Sequence, residues 1–222
     1  KNLIIWHISD EEGIDGDYLY PKTSNDITIF RSFPHKRFSS YKNIHSLPLG
    51  PSRWSLRNIP WINSTKRKYS WCFMGTMWPN TSREQAVNCF RENVFGGFFY
   101  KGSDFSSGLP VSDYIETLLQ STFSICPEGN RHFETFRFYE SLELGSIPLS
   151  IVDKENFHSI FKDGLPFPSF KDWEEAAEFA NELLKDPIRL NNLQLGIRTW
   201  WLEEKHNLSA RFQSLIGSEL KI

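Results

Sequence analysis

The segment from Phe123 to Val152 constrains the fold of this chain more than any other. An apolar run, Phe123-Ser124-Ile125-Cys126, opens into a polar loop carrying Pro127 and Gly129. Residues 134 to 144 have helical spacing and stop at Gly145, and a second apolar run follows, Ile147 to Val152. Strand, helix and strand in this succession make a βαβ unit, whose two strands lie parallel with a helix covering one face. A glycine is the usual residue just past a helix C-terminus, so Gly145 fixes where the helix ends.

The same alternation extends in both directions. Tyr69 to Met74 reads as a strand ending at Gly75, and Thr81-Ser82-Arg83-Glu84 opens a helix with Thr81 or Ser82 as its N-cap. Phe98 to Tyr100 is a short strand. Val111 to Gln120 is a helix with Ser112 as cap and Ile115, Leu118 and Leu119 on one face. Asp172 to Leu184 is amphipathic, and Pro187 starts a further helix toward Trp200 and Trp201, with a last helix over Ser209 to Leu220. Upstream, Leu3 to Ile8 reads as a buried strand, Ile27 to Phe30 as a second and Ile44 to Leu49 as a third. Residues 50 to 68, with Pro51 and Pro60 and no periodicity, read as a crossing between units. The expectation is α/β: a partial N-terminal part over residues 1–60 and a Rossmann-like parallel-sheet domain over 61–222.

Composition excludes several partners. The 222 residues carry 25 Lys and Arg against 27 Asp and Glu, a net charge of −2, so nucleic acid is not expected. The cluster Lys66-Arg67-Lys68 reads as a solvated linker. No apolar run reaches the length of a membrane span. Cys72, Cys89 and Cys126 are odd in number and fit no zinc spacing. Unpaired thiols point to a reducing compartment such as the cytoplasm, with the Golgi lumen as alternative. No signal-peptide pattern is present. The chain starts at Lys1 and enters a strand at once, as expected where an upstream segment, with any anchor, has been removed.

Ligands of open parallel sheets bind at the carboxyl ends of the strands, against helix N-termini. That places candidate phosphate contacts on the loop and the helix after it: Gly129, Asn130, Arg131 and Thr135. Arg137 and Glu140, three apart, share a helix face. An arginine grips phosphate oxygens bidentately, and a carboxylate accepts from ribose hydroxyls. Gly75 and Arg83, after the earlier strand, face the same region. As a surface ion pair, Arg137 and Glu140 would contribute only a few tenths of a kcal/mol.

Cys126-Pro127-Glu128-Gly129, then Arg137, Glu140 and Gly145-Ser146-Ile147-Pro148-Leu149, resemble the exostosin-type glycosyltransferases, including the related ribitol xylosyltransferases. Weaker likeness extends upstream to Phe30-Arg31, Leu47-Pro48-Leu49-Gly50 and the strand before Arg83. The resemblance implies a GT-B fold, a nucleotide-sugar donor (UDP, with xylose as the sugar), a glycan acceptor, inversion at the anomeric carbon and no obligatory metal or cofactor. Many retaining GT-B enzymes carry two Glu eight apart around this helix. Here the residue eight before Glu140 is His132, which supports inversion.

The acidic turn from Asp10 to Asp17 has three readings: a solvated loop; the source of the general base that takes the acceptor proton, from Asp10, Glu11 or Glu12; or a metal-binding Asp15-x-Asp17 of GT-A type. A non-catalytic nucleotide- or glycan-binding module on the same fold is the alternative to an enzyme.

Overall fold

The computed structural model describes residues 3–52, 56, 59–104, 107–129, 131–161 and 164–220. Two parallel sheets organise them. In the first, β1 (Leu3–His7), β2 (Ile27–Arg31) and β3 (Ile44–Ser46) lie in sequential order, with α1 (Ile14–Leu19) between β1 and β2. The second contains β4 (Tyr69–Thr76), β5 (Phe98–Gly102), β6 (Ser121–Ile125) and β7 (Ile147–Leu149) in the order β5-β4-β6-β7, every pair parallel. Its strands alternate with α2 (Ser82–Asn93), α3 (Val111–Leu119) and α4 (Phe136–Leu144). Then come α5 (Lys154–Phe157), α6 (Trp173–Leu184) and α7 (Pro187–Leu220).

Alternation along β4 shows why both faces of the second sheet are covered. Trp71 and Phe73 point into the cluster that holds Ala86, Val87 and Phe90 of α2. Cys72 and Met74 point the other way, into a cluster with Leu118 of α3. Successive strand residues face opposite sides, so one apolar run feeds two helical layers. All three cysteines are buried thiols. The chain leaves β4 for β5 on one side and returns past it to β6 on the other. The order therefore reverses between β4 and β6, and their carboxyl ends form the crevice typical of such a reversal.

Several expectations are corrected. β1 is not buried: Leu3 and Trp6, and Ile8 just after it, are each more than half exposed, because β1 is an edge strand of a three-stranded sheet. The acidic turn is not a loop throughout, since α1 begins inside it at Ile14. Ser112 caps nothing, because Pro110 occupies the N-cap of α3. Thr81 does stand at the N-cap of α2, but its hydroxyl donates to the Trp78 carbonyl. Arg67 is not solvated. Its guanidinium donates to the carbonyls of Ile62, Ser121 and Leu144, and burial lowers its pKa to about 10.

The two C-terminal helices are one. α7 runs from Pro187 to Leu220 and crosses from the second unit to the first. Gln194 Nε2 donates to the Gly145 carbonyl at 2.7 Å. Farther along, Arg211 donates to Ser46 O at 2.8 Å, and the Phe212 ring packs 4.7 Å from Phe30 and 5.6 Å from Trp6. Among the described residues, no helix is long and apolar enough to cross a membrane.

Candidate functional site

A cleft of about 290 Å³ opens at the carboxyl ends of β4 and β5, and Gly75, Arg83, Thr135, Arg137 and Glu140 line it together. Each reaches it for a local reason. Gly75 and Thr76 end β4, and Arg83 lies in the first turn of α2. Thr135 is the N-cap of α4, and its side chain caps no backbone N–H. The first-turn amides of α4, with the positive end of the helix dipole, are thus not satisfied by the cap side chain, an arrangement suited to an anion.

Arg137 is fixed from three sides. Its Nη2 donates to the Met74 carbonyl at 2.9 Å, and its guanidinium carbon lies 4.4 Å from the Phe73 ring centroid. A Cβ built on Gly75 would stand 2.7 Å from Nη2, so the close approach of strand and guanidinium requires glycine there. The buried Nε–H of Arg137 has no acceptor. A buried donor without a partner is costly, and at the edge of a cleft it marks where an oxygen of a ligand belongs.

Arg83 donates to the Thr76 carbonyl at 3.3 Å and lies over the Trp78 ring. Its pKa is lowered to about 10, first by burial and then by the charge of Arg137, while Glu11 acts in the opposite sense. Two guanidinium groups thus share one cleft closely enough to repel each other, with Glu11 within electrostatic reach.

Glu140 accepts short hydrogen bonds on both carboxylate oxygens, from the Ser52 and Tyr114 hydroxyls. Burial and the Glu140 charge push the Tyr114 phenol well above its ordinary pKa, so it stays a donor. Sequence reading missed both Ser52 and Tyr114. They lie 88 and 26 residues from Glu140, and only the folded chain brings them to it. The Gly50-Pro51 turn beside Ser52 was the one available signal.

The remaining candidates gather next door. Gly129 closes a tight turn through its N–H to His132 O, and a Cβ on it would lie 3.0 Å from Glu11 Oε1. Glu11 Oε1 accepts from the Arg131 N–H at 3.0 Å, and the Arg131 side chain pairs with Glu12 at 3.0 Å. Arg131 therefore faces the acidic turn. Asn130 lies outside the described residues.

Asp10 is occupied elsewhere. It is buried, pairs with Arg31 at 2.9 Å and accepts from the N–H groups of Asp15 and Gly16. Despite the opposing effect of burial, those hydrogen bonds and the Arg31 charge hold its carboxyl below the ordinary range. Asp15 and Asp17 stand two apart on α1, and residues two apart on a helix do not face each other. Asp17 pairs with Arg37 at 2.9 Å instead. Among the described residues, no cluster of three or more His, Cys, Asp or Glu could hold a metal ion.

The sequence that builds this crevice matches a known family. The RXYLT1 C-terminal domain model covers residues 55–220. The chain belongs to that family. It is 23% identical over 206 residues to human (Homo sapiens) ribitol-5-phosphate xylosyltransferase 1 and 30% identical over 198 residues to that of Danio rerio. Each match covers 79% of this chain and 45% of the relative. Drosophila melanogaster exostosin-1 is 44% identical over 73 residues, covering 32% of this chain and 8% of that protein. The chain therefore spans about half the length of the xylosyltransferases it matches, and its exostosin-type affinity, with the link to ribitol xylosyltransferases, is established.

Proposed function

We propose that this RXYLT1-family chain transfers a glycosyl group from a nucleotide sugar, with the nucleoside diphosphate held in the cleft of Gly75, Arg83, Arg137 and Glu140. The observation carrying the reading is the pairing of two mutually repelling guanidiniums with an unsatisfied buried Arg137 Nε–H, a positive site built in advance of its anion. The named activity of the relatives, xylosyl transfer, supports the reaction class, and xylose from a UDP-sugar is the donor we favour.

In this reading the second sheet is the donor half of a GT-B fold and the first sheet the acceptor side. The diphosphate lies across the N-terminus of α4 between Arg83 and Arg137. Glu140, oriented by Ser52 and Tyr114, has a remaining lone pair on each oxygen for the ribose hydroxyls. With Asp10 committed to Arg31, the acceptor proton falls to Glu11, with Glu12 as the second choice. The acceptor oxygen attacks the anomeric carbon from the face opposite the diphosphate, its proton passes to the carboxylate, and the bond from the anomeric carbon to the diphosphate oxygen breaks with inversion. The leaving charge is stabilised by arginines and helix amides, the task a metal performs in other transferases.

Incubating the chain with UDP-xylose and following released UDP tests the proposal. Slow hydrolysis, increased by an acceptor polyol phosphate, is expected. Tight UDP binding without any turnover would instead indicate a binding module.

A further inference from the structure

Between the two sheets lies a buried pair that the proposed chemistry does not use. Glu134 directly precedes the α4 cap, and the residue is only 2% exposed. Its Oε1 accepts from the Leu49 N–H of the first unit at 2.9 Å and from the Tyr139 hydroxyl of α4. Its Oε2 is buried without a partner, 3.8 Å from His132 Nδ1. His132 is just as constrained. Its Nε2 must donate to the Pro34 carbonyl at 2.9 Å, so Nδ1 is the unprotonated nitrogen, and that nitrogen accepts the Glu134 N–H at 3.2 Å. From the first unit, Phe33 sets its ring against His132 while holding a left-handed backbone (φ 57), pinned by Arg31 Nε on its carbonyl. A non-glycine residue rarely keeps that conformation unless its surroundings impose it.

We infer that Glu134 is a positioning residue for glycosyl transfer: in its protonated form it locks the loop before α4 onto the first unit, and its ionisation releases that loop and the donor-binding helix end. The inference rests on the donor reading above. The proton belongs on Oε2, the oxygen that makes no hydrogen bond of normal geometry. Losing it places a bare charge in an apolar seam whose other titratable neighbours are the Tyr139 phenol and the neutral His132, with His35 stacked edge-on behind His132 and Arg31 acting on both histidines from β2. The Tyr139 hydroxyl and the Leu49 and Phe33 backbone N–H groups reduce this cost without cancelling it, since burial still pushes Glu134 up to about 7. The cheapest escape is for residues 132–135 to leave the seam, which moves Thr135 and the first turn of α4 away from Arg83. Donor binding, which needs that turn in place, must then favour the protonated form and draw a proton from solution near neutral pH.

The test is titration calorimetry with UDP-xylose, whose diphosphate stays ionised throughout the neutral range, in buffers of different ionisation enthalpy from pH 6 to 8.5. Wild type should take up a proton on binding near pH 7 and bind several-fold, up to about tenfold, more weakly at pH 8.5 than at pH 6. Glu134→Gln, which keeps the acceptor oxygen, should bind with a pH-independent affinity and no proton uptake. Glu134→Ala, lacking the Leu49 and Tyr139 contacts, should bind weakly at every pH. Wild-type affinity without pH dependence or proton uptake overturns the inference and leaves the donor site standing. A wild type that binds no nucleotide sugar overturns both.

Discussion

Arg83 and Arg137 enter one cleft from the helices that follow β4 and β6, and each finds a strand carbonyl but no carboxylate partner among the contacts described. Two like charges converging with no direct ion pair among the described residues cost stability, since the Glu140 carboxylate in the same cleft is taken by Ser52 and Tyr114. That arrangement is characteristic of a site whose missing partner is a ligand.

Arg137→Ala should weaken UDP binding by roughly ten- to a hundred-fold, the loss of a charge-assisted contact of roughly 1.5–3 kcal/mol. Arg137→Lys should recover only part, since Lys lacks the planar fork. Arg83→Ala should also weaken binding while leaving the empty protein as stable as wild type or more so, because one repulsion is gone. Glu140→Gln should weaken binding with little added effect on turnover. UDP titrations alongside thermal melts of the four variants decide this, and normal affinity throughout would remove the donor assignment.

The base is separable from the donor site. Glu11→Gln should lower kcat by about 10²–10⁴ with UDP affinity largely kept, and Glu12→Gln should do so only if Glu11 is silent. Asp10→Asn should act differently. It leaves Arg31 buried without its carboxylate and destabilises the first unit by several kcal/mol. Steady-state kinetics on folded protein, checked by melting temperature, distinguishes catalytic loss from structural loss.

Donor binding and turnover should survive EDTA, because arginines and helix amides face the anion. Activity abolished by chelation and restored by Mn²⁺ would refute this.

Stability should depend on pH through two opposed groups. Burial raises Glu134 from its ordinary 4.5 to about 7, so the unfolded chain ionises first and stability falls as pH rises from about 4.5 to about 7. Burial lowers His132 from 6.5 to about 4, so the unfolded chain protonates first and stability falls as pH drops from about 6.5 to about 4. Each effect is on the order of 3 kcal/mol. In wild type they largely cancel where the windows overlap. Glu134→Gln should leave only the acid-side loss, and His132→Asn only the loss on raising pH. Urea denaturation from pH 4.5 to 8 reads both directly.

What the sequence made legible was local. The βαβ core and the Gly145 stop follow from spacing of a few residues, where strand and helix periods act, and the shared region of Gly75, Arg83 and Arg137 follows from the rule that ligands sit at the carboxyl ends of parallel strands. Partnerships across the chain were not legible. Asp10 reads as a free acid until Arg31, 21 residues on, closes over it. Arg67 reads as solvated until three carbonyls from separate elements surround it. β1 reads as buried because its residues are apolar, whereas its exposure depends on its place at a sheet edge. The break expected before Ser209 does not occur, because α7 continues on to the first sheet, a contact no local pattern encodes.

That helix has a consequence for how the chain is assembled. Phe30 and Trp6 of the first sheet meet the Phe212 ring only after the whole second unit, which lies between them in sequence, has been made. The strands of the first sheet are thus sheltered long after they themselves are made. The first sheet must wait, incompletely covered, through the making of the second, until α7 reaches across from one to the other.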